Sequence, residues 1–311
     1  MTDIIPAGQG DKRLYNPDSL AAIKSLVIDG LESPHSKAMY GKAIDDFMTW
    51  RDDSQPFTKA QVNEYKNHLL SSTDYAPSTI NQRLSAIRRL AIEAADNGIM
   101  DPVMAEGVKR VKGVKTSGVR TGNWLTLKQA QSLLRSPDTT TLKGLRDRAI
   151  LAVMIGGGLR RSEVAALTFD HVQMREARWV IVDLVGKRRR VRSVPIPAWA
   201  KVAIDDWSTA ANISDGHIFR SVNKGDNLSG DSMTDQAIAD VVKVYADKWD
   251  WDLAAHDLRR TFAKLARQGG SDLSQIQLTL GHESVKTTET YLNEQQDLTS
   301  APCDYIRLQL A

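Results

Sequence analysis

The sequence predicts a mainly α-helical chain in two domains with one small antiparallel sheet, and three observations lead there. Apolar residues recur at helical spacing behind capping residues along most of the chain. A single place, residues 179–196, reads as two strands closed by a basic tip. Between two helical stretches lies a basic, glycine-containing segment with the composition of a linker. A length of 311 residues also suits two domains of roughly 100 to 200 residues each.

Residues 1–30 read as an N-terminal extension, in which Pro6, Gly8 and Gly10 interrupt regular structure and Asp18 to Ile28 fits one helix. A helical domain is expected over 31–112. Ser33 and Pro34 form a helix start ahead of Tyr40, Ala43, Ile44, Phe47 and Met48 on one face. Thr58 and Gln61 have capping-box spacing before Val62, Tyr65 and Leu69. Ser78 opens a third helix bearing Ile80, Leu84, Ile87, Ala91 and Ala94, closed by Asn97-Gly98, and Asp101-Pro102 starts a short fourth.

The linker is placed at 113–123. Lys109, Arg110, Lys112, Lys115 and Arg120 face one acid, Glu106, across this region, which either touches phosphate or is merely solvated. Arg83, Arg88 and Arg89, expected on the surface of the third helix, favour phosphate contact.

The second domain is expected over 124–292. Thr126 and Gln129 repeat the capping-box spacing, and the helix from Arg148 to Ile155 is apolar enough to be buried. Gly156-Gly157-Gly158 then reads as a helix stop and sharp turn that aims Arg160. Neither a Walker pattern nor a dinucleotide fingerprint surrounds these glycines. The strands Trp179–Val185 and Val191–Ile196 flank the tip, where Lys187, Arg188, Arg189 and Arg190 concentrate positive charge that favours a nearby anion. Helices over Pro197–Ala211 and Thr234–Tyr245 follow. Residues 293–311 form a tail that keeps Leu298, Tyr305, Ile306, Leu308 and Leu310.

Composition bounds the function. Hydrophobic content of 41 % with 25 % charged residues is that of a globular protein. No apolar run approaches the roughly 20 residues that span a bilayer, and the N-terminus lacks the order of a signal peptide, so a cytoplasmic location without a membrane partner is expected. The single cysteine, Cys303, allows no internal disulfide. A net charge of +3 is too small to argue for nucleic acid by itself, and the uneven distribution carries that argument instead.

The stretch from His256 to Leu292 holds the chemistry. His256 and Arg259 stand three apart on one helix face, His282 follows Gly281, and Tyr291 comes nine residues later. This set suits a phosphodiester. It suits a metal poorly, because zinc and magnesium sites need several converging His, Cys or carboxylate ligands and Arg259 can bind no cation. Taken singly, each residue has a structural reading: Arg160 paired with Glu163, His256 at a helix start, His282 as cap or core, Tyr291 as packing, Lys187 as hairpin charge.

Order and spacing change that balance. The segments GLRRSEVAAL (158–167), GKRRRVRSVPI (186–196), HDLRRTFA (256–263) and LGHESVKTTETYL (280–292) resemble the tyrosine recombinases, the phage-integrase family of site-specific recombinases. The resemblance covers Thr126 to Leu292, and the helical domain looks, less specifically, like the family's SAM-like core-binding domain. It implies Arg160, Lys187, His256, Arg259, His282 and Tyr291 as catalytic residues, with Glu163 in support. It implies double-stranded DNA with inverted half-sites as partner, a homodimer on one site and a homotetramer in the synapse, with the tail reaching a neighbouring protomer at the nucleoid. No cofactor, metal or ATP is expected. The tip departs from the family's frequent Gly and Asn after the lysine, carrying Arg188 and Arg189, so the choice of Lys187 among its cationic neighbours stays open.

Physical chemistry makes the implied roles intelligible. Two planar guanidinium forks can meet the charge that develops on a phosphodiester under attack. A tyrosine phenol, with an ordinary pKa of about 10, must lose its proton during attack, for which His256 is the candidate acceptor. The departing 5′ oxygen needs a proton, which Lys187 can supply, while His282 hydrogen-bonds the phosphate. A covalent 3′-phosphotyrosyl link conserves the phosphoester for rejoining. Two alternatives share the groups or the fold: a type IB topoisomerase and a non-catalytic DNA-binding regulator.

Overall fold

The computed structural model describes residues 17–52, 57–115, 123–185, 191–282, 288–289 and 292. The chain divides into two compact units, Met1–Val119 and Arg120–Ala311.

The first unit is helical: α1 (Pro17–Asp29), α2 (Pro34–Trp50), α3 (Lys59–Ser72), α4 (Pro77–Asp96) and α5 (Pro102–Lys109). Proline opens α2, α4 and α5, where a missing N–H costs nothing. Ser33, Thr58 and Asp101 accept the exposed N–H groups of their helix starts. Two starts differ from the sequence reading. Helix α4 begins at Pro77 behind Ala76 rather than at Ser78. The Thr58–Gln61 box is half-formed, because the Gln61 amide turns to the Asp52 carbonyl. Helix α1 is no extension: Ile23 and Val27 are buried in the same core as Ile44, Phe47, Tyr65, Leu84 and Leu90. Phe47 and Tyr65 meet edge-on there, with centroids 5.0 Å apart.

Side chains also hold the start of the supposed linker. Asn81 pairs with the backbone of Val114 in both directions, at 3.0 and 2.7 Å. Lys66 donates to the Lys112 carbonyl at 3.4 Å, and Arg88 to that of Val111. Residues 113–115 therefore belong to the helical unit, which composition could not show because the clamp lies more than 30 residues away in sequence.

The second unit contains α6 (Leu127–Arg135), α7 (Leu142–Gly157), α8 (Arg161–Ala165), β1 (Val172–Arg175), β2 (Arg178–Val185), β3 (Val191–Pro195), α9 (Ala198–Ala210), α10 (Asp235–Asp247), α11 (Ala255–Gln268) and α12 (Leu273–Leu280). Helix α7 is apolar all round from Ala149 onward and there runs through the core, as that pattern requires. Asp226 caps its N-terminus, accepting from the N–H groups of Leu142 and Lys143 at 2.7 and 2.8 Å. The Thr126–Gln129 capping box is complete.

The fold is mainly helical with a small antiparallel sheet, as expected, but the sheet has three strands in the order β1-β2-β3. The additional strand β1 joins β2 through Glu176 and Ala177, both at positive φ (49° and 57°). Such turns favour Asn or Gly, so nothing in Glu-Ala announces a hairpin. Register places Ile181 between Val172 and Val194, with Ile181 and Val194 fully buried against the core.

Candidate active site

Arg259, on α11, is wholly buried. Its Nη1 donates to the Gly158 carbonyl at 2.7 Å and its Nη2 to the Leu280 carbonyl. Those carbonyls close α7 and α12, so one guanidinium satisfies the ends of two helices. Both helices stop at a glycine in the left-handed region, Gly158 at φ +62° and Gly281 at φ +61°. A Cβ on Gly158 would lie 2.6 Å from the Phe262 ring, and one on Gly281 2.9 Å from Cδ of Arg192. Glycine meets both the dihedral and the space requirement.

An arginine pair, Arg160 and Arg192, shares one carboxylate. Glu163 Oε1 accepts from Nη1 of Arg160 at 2.7 Å and Nη1 of Arg192 at 2.9 Å. Its Oε2 accepts from the Arg160 backbone N–H at 2.9 Å and Nη2 of Arg192 at 2.8 Å. Burial alone would raise the Glu163 pKa, but the hydrogen bonds and charges of Arg192 and Arg160 win and hold it down to about 2. Nε of Arg192 reaches the Thr279 carbonyl at 2.8 Å.

The histidines are held neutral. Desolvation first, then the cations of Arg259 and Arg160 with His256 and Arg192, lower His282 to about 4. His256 lies at the surface and is also lowered, by partial desolvation and then by Arg259, Arg260 and Arg160, with Asp257 opposing. Arg160, His256, Arg259 and His282 therefore act on one another electrostatically. Nδ1 of His282 lies 2.9 Å from the hydroxyl of Thr288, which is fully buried. Beside them a cleft of about 540 Å³ is lined by Arg160, Ser162, Lys243, Trp251 and His256. Among the described residues no three His, Cys, Asp or Glu side chains converge as a metal site would need.

Lys187, Arg188, Arg189, Arg190 and Tyr291 lie outside the described residues, as does the tail 293–311. The described neighbours of Tyr291 are well anchored: Leu292 is buried with Ala263, Ile276 and Leu280 of α11 and α12. Sequence reading missed Thr288 and Arg192. A signal existed for Arg192, which alternates in phase with buried Val194 on β3, so that a charge at this position needs a partner.

In the helical unit the expected DNA-contacting cations divide. Arg83 is a correction: only 8 % exposed, it gives Nη1 to Asp46 at 2.7 Å and Nη2 to the Tyr75 hydroxyl at 3.1 Å. It stands on the helix face shared with Ile80, Leu84 and Ile87, which carries it inward. Arg88 is half-buried on Val111, and Arg89 pairs with Glu93 at 2.7 Å. Lys109 pairs with Glu106 at 3.2 Å, while Arg110, Lys112 and Lys115 are exposed.

Comparison with known proteins decides the family: the model described as "Phage integrase family" matches residues 123–297. The chain belongs to the phage integrase family. Its relatives include the tyrosine recombinase XerC of Myxococcus xanthus, 30 % identical across 83 % of this chain and 87 % of that protein. The XerC of Herpetosiphon aurantiacus is 34 % identical across 74 % of this chain and 73 % of that one. Among solved structures, the Tn1549 transposon integrase in complex with circular intermediate DNA aligns with a TM-score of 0.69 at 16 % identity, covering 93 % of this chain and 99 % of that one. That likeness bears on the fold, and the integrase-family fold is the one described above.

Proposed function

We propose that the chain is a site-specific DNA recombinase that cleaves and rejoins double-stranded DNA through a 3′-phosphotyrosyl intermediate. The observation that carries this reading is the electrostatic grouping of Arg160, His256, Arg259 and His282, with Arg160 held by Glu163, in a chain of this family. Tyr291 attacks the scissile phosphorus, His256 takes its proton, and Lys187 protonates the departing 5′ oxygen. Arg160 and Arg259 stabilise the charge on the non-bridging oxygens. Because Arg259 is wholly buried, the reading requires its guanidinium to become accessible when DNA is bound. The lowered pKa of His282 keeps its ring neutral at pH 7, and a Thr288 hydroxyl that donates to Nδ1 places the ring N–H on Nε2, towards a phosphate oxygen.

The exposed Arg110, Lys112 and Lys115 of the helical unit hold the DNA backbone. Two protomers on inverted half-sites, and four in the synapse, exchange strands through a Holliday junction. The test uses nicked duplexes with a randomised core, from which adducts that survive denaturation are selected without added metal. The wild-type chain is expected to yield adducts and Tyr291→Phe none. Adducts that persist in Tyr291→Phe sink the nucleophile assignment, and a metal requirement refutes the mechanism. Relaxation of supercoiled plasmid without strand exchange between sites would favour the topoisomerase reading.

A further inference from the structure

We propose that Arg192 is a positioning residue that sets Arg160 and His282 jointly, through the Glu163 carboxylate and the last turn of α12. The proposal rests on the reading of the site given above, and the geometry supporting it is direct. Arg192 presents its fork to both oxygens of Glu163, at 2.9 and 2.8 Å, and the same two oxygens fix the side chain and the backbone N–H of Arg160. Its third donor, Nε, fixes the Thr279 carbonyl, three residues before His282. Its Cδ lies 2.9 Å from where a Cβ on Gly281 would stand, so the aliphatic stem also bounds the turn from which His282 emerges. One side chain, only 9 % exposed, thereby touches the two segments that present the candidate phosphate ligands.

The fork also divides the charge of Glu163. With Arg192 in place each oxygen accepts two hydrogen bonds, and Glu163 holds only one terminal nitrogen of Arg160. Without Arg192 a buried carboxylate would have Arg160 as its sole cationic partner, which would draw that guanidinium away from a phosphate. A lysine cannot replace the fork, since one ammonium cannot bridge both carboxylate oxygens and the Thr279 carbonyl with the same geometry.

The test compares full-length wild type, Arg192→Met, Arg192→Lys, Glu163→Gln and the Arg192→Met/Glu163→Gln double variant. Single-turnover adduct formation on the selected duplex is measured beside DNA affinity. The His282 ring, assigned by its loss in His282→Asn, is titrated by NMR. Charged or titratable groups facing it are Arg160, His256 and Arg259 besides Arg192. Arg192→Met is expected to slow adduct formation about a hundredfold, the scale of a small misplacement of reacting groups, with DNA affinity unchanged. Its His282 titration should move upward from about 4, because a cation that lowers it is gone. Arg192→Lys should leave that titration near the wild-type value yet remain slow. The double variant should be no slower than the slower single, because both act through one carboxylate.

A wild-type adduct rate in Arg192→Met or Arg192→Lys overturns the proposal, as does full additivity in the double variant or a loss of DNA affinity equal to the loss of rate. Wild-type protein that forms no adduct defeats the recombinase reading. In that case an unmoved His282 titration in Arg192→Met also rejects the coupling, and an upward move upholds it.

Discussion

The two units differ in what their arginines hold. In the helical unit, Arg83 meets one carboxylate and one phenol, and most other cations face solvent singly or with one neighbouring acid. In the second unit, Arg259 closes two helices and Arg192 joins a carboxylate to a third backbone segment. A cation at the surface costs little to keep and is readily exchanged. A buried one needs partners, as Arg83 has in Asp46 and Tyr75; Arg259 and Arg192 add backbone carbonyls at helix ends to theirs, so they also fix geometry.

The largest test of that contrast is Arg259→Met, which strands the Gly158 and Leu280 carbonyls in the core. It should destabilise the full-length protein by about 4 kcal/mol in denaturant unfolding of the second unit, beyond abolishing adducts. A loss below about 1 kcal/mol would break the comparison.

Next is Glu163. Its folded pKa, about 2, lies below the ordinary 4.5, so its contribution to stability is present above pH 4.5 and fades as pH falls towards 2. That contribution is about 3 kcal/mol. Thermal unfolding at pH 7 and pH 3 should show a drop in wild type that is smaller in Glu163→Gln. Equal drops would mean that Arg160 and Arg192 do not hold the charge.

In the helical unit, Arg83→Met should cost about 1 kcal/mol, because Asp46 stays partly hydrated and keeps its ion pair with Lys42. The smallest effect is expected for Lys112→Gln with Lys115→Gln, within about 0.5 kcal/mol in unfolding. The same pair should lower the salt slope of DNA binding by about one for each phosphate that a lysine no longer neutralises. An unchanged slope would show that these lysines are only solvated.

Much of the fold was legible because its signals are local. Prolines, caps and apolar spacing located α2, α5, α6 and α7, and Gly281 announced the end of α12. What escaped depends on distant partners. Nothing within 1–30 says that Ile23 and Val27 enter the core, and nothing near 113–115 points to Asn81. Arg83 looked like a surface cation until Asp46, 37 residues earlier, was folded against it. In the site, motifs singled out Arg160, His256, Arg259 and His282 by their spacing. Arg192 lies inside one of those motifs without a role of its own, because a strand's inward face shows only when its alternation is followed through a charged residue.

The two helix ends that meet at Arg259 also shape the field outside the protein. Each helix C-terminus carries roughly half a negative charge, so close to the site the pair offsets part of the guanidinium's charge. If the exposed Arg110, Lys112 and Lys115 attract DNA as proposed, added salt should weaken its capture far more than the bond-breaking step that follows at the buried Arg259.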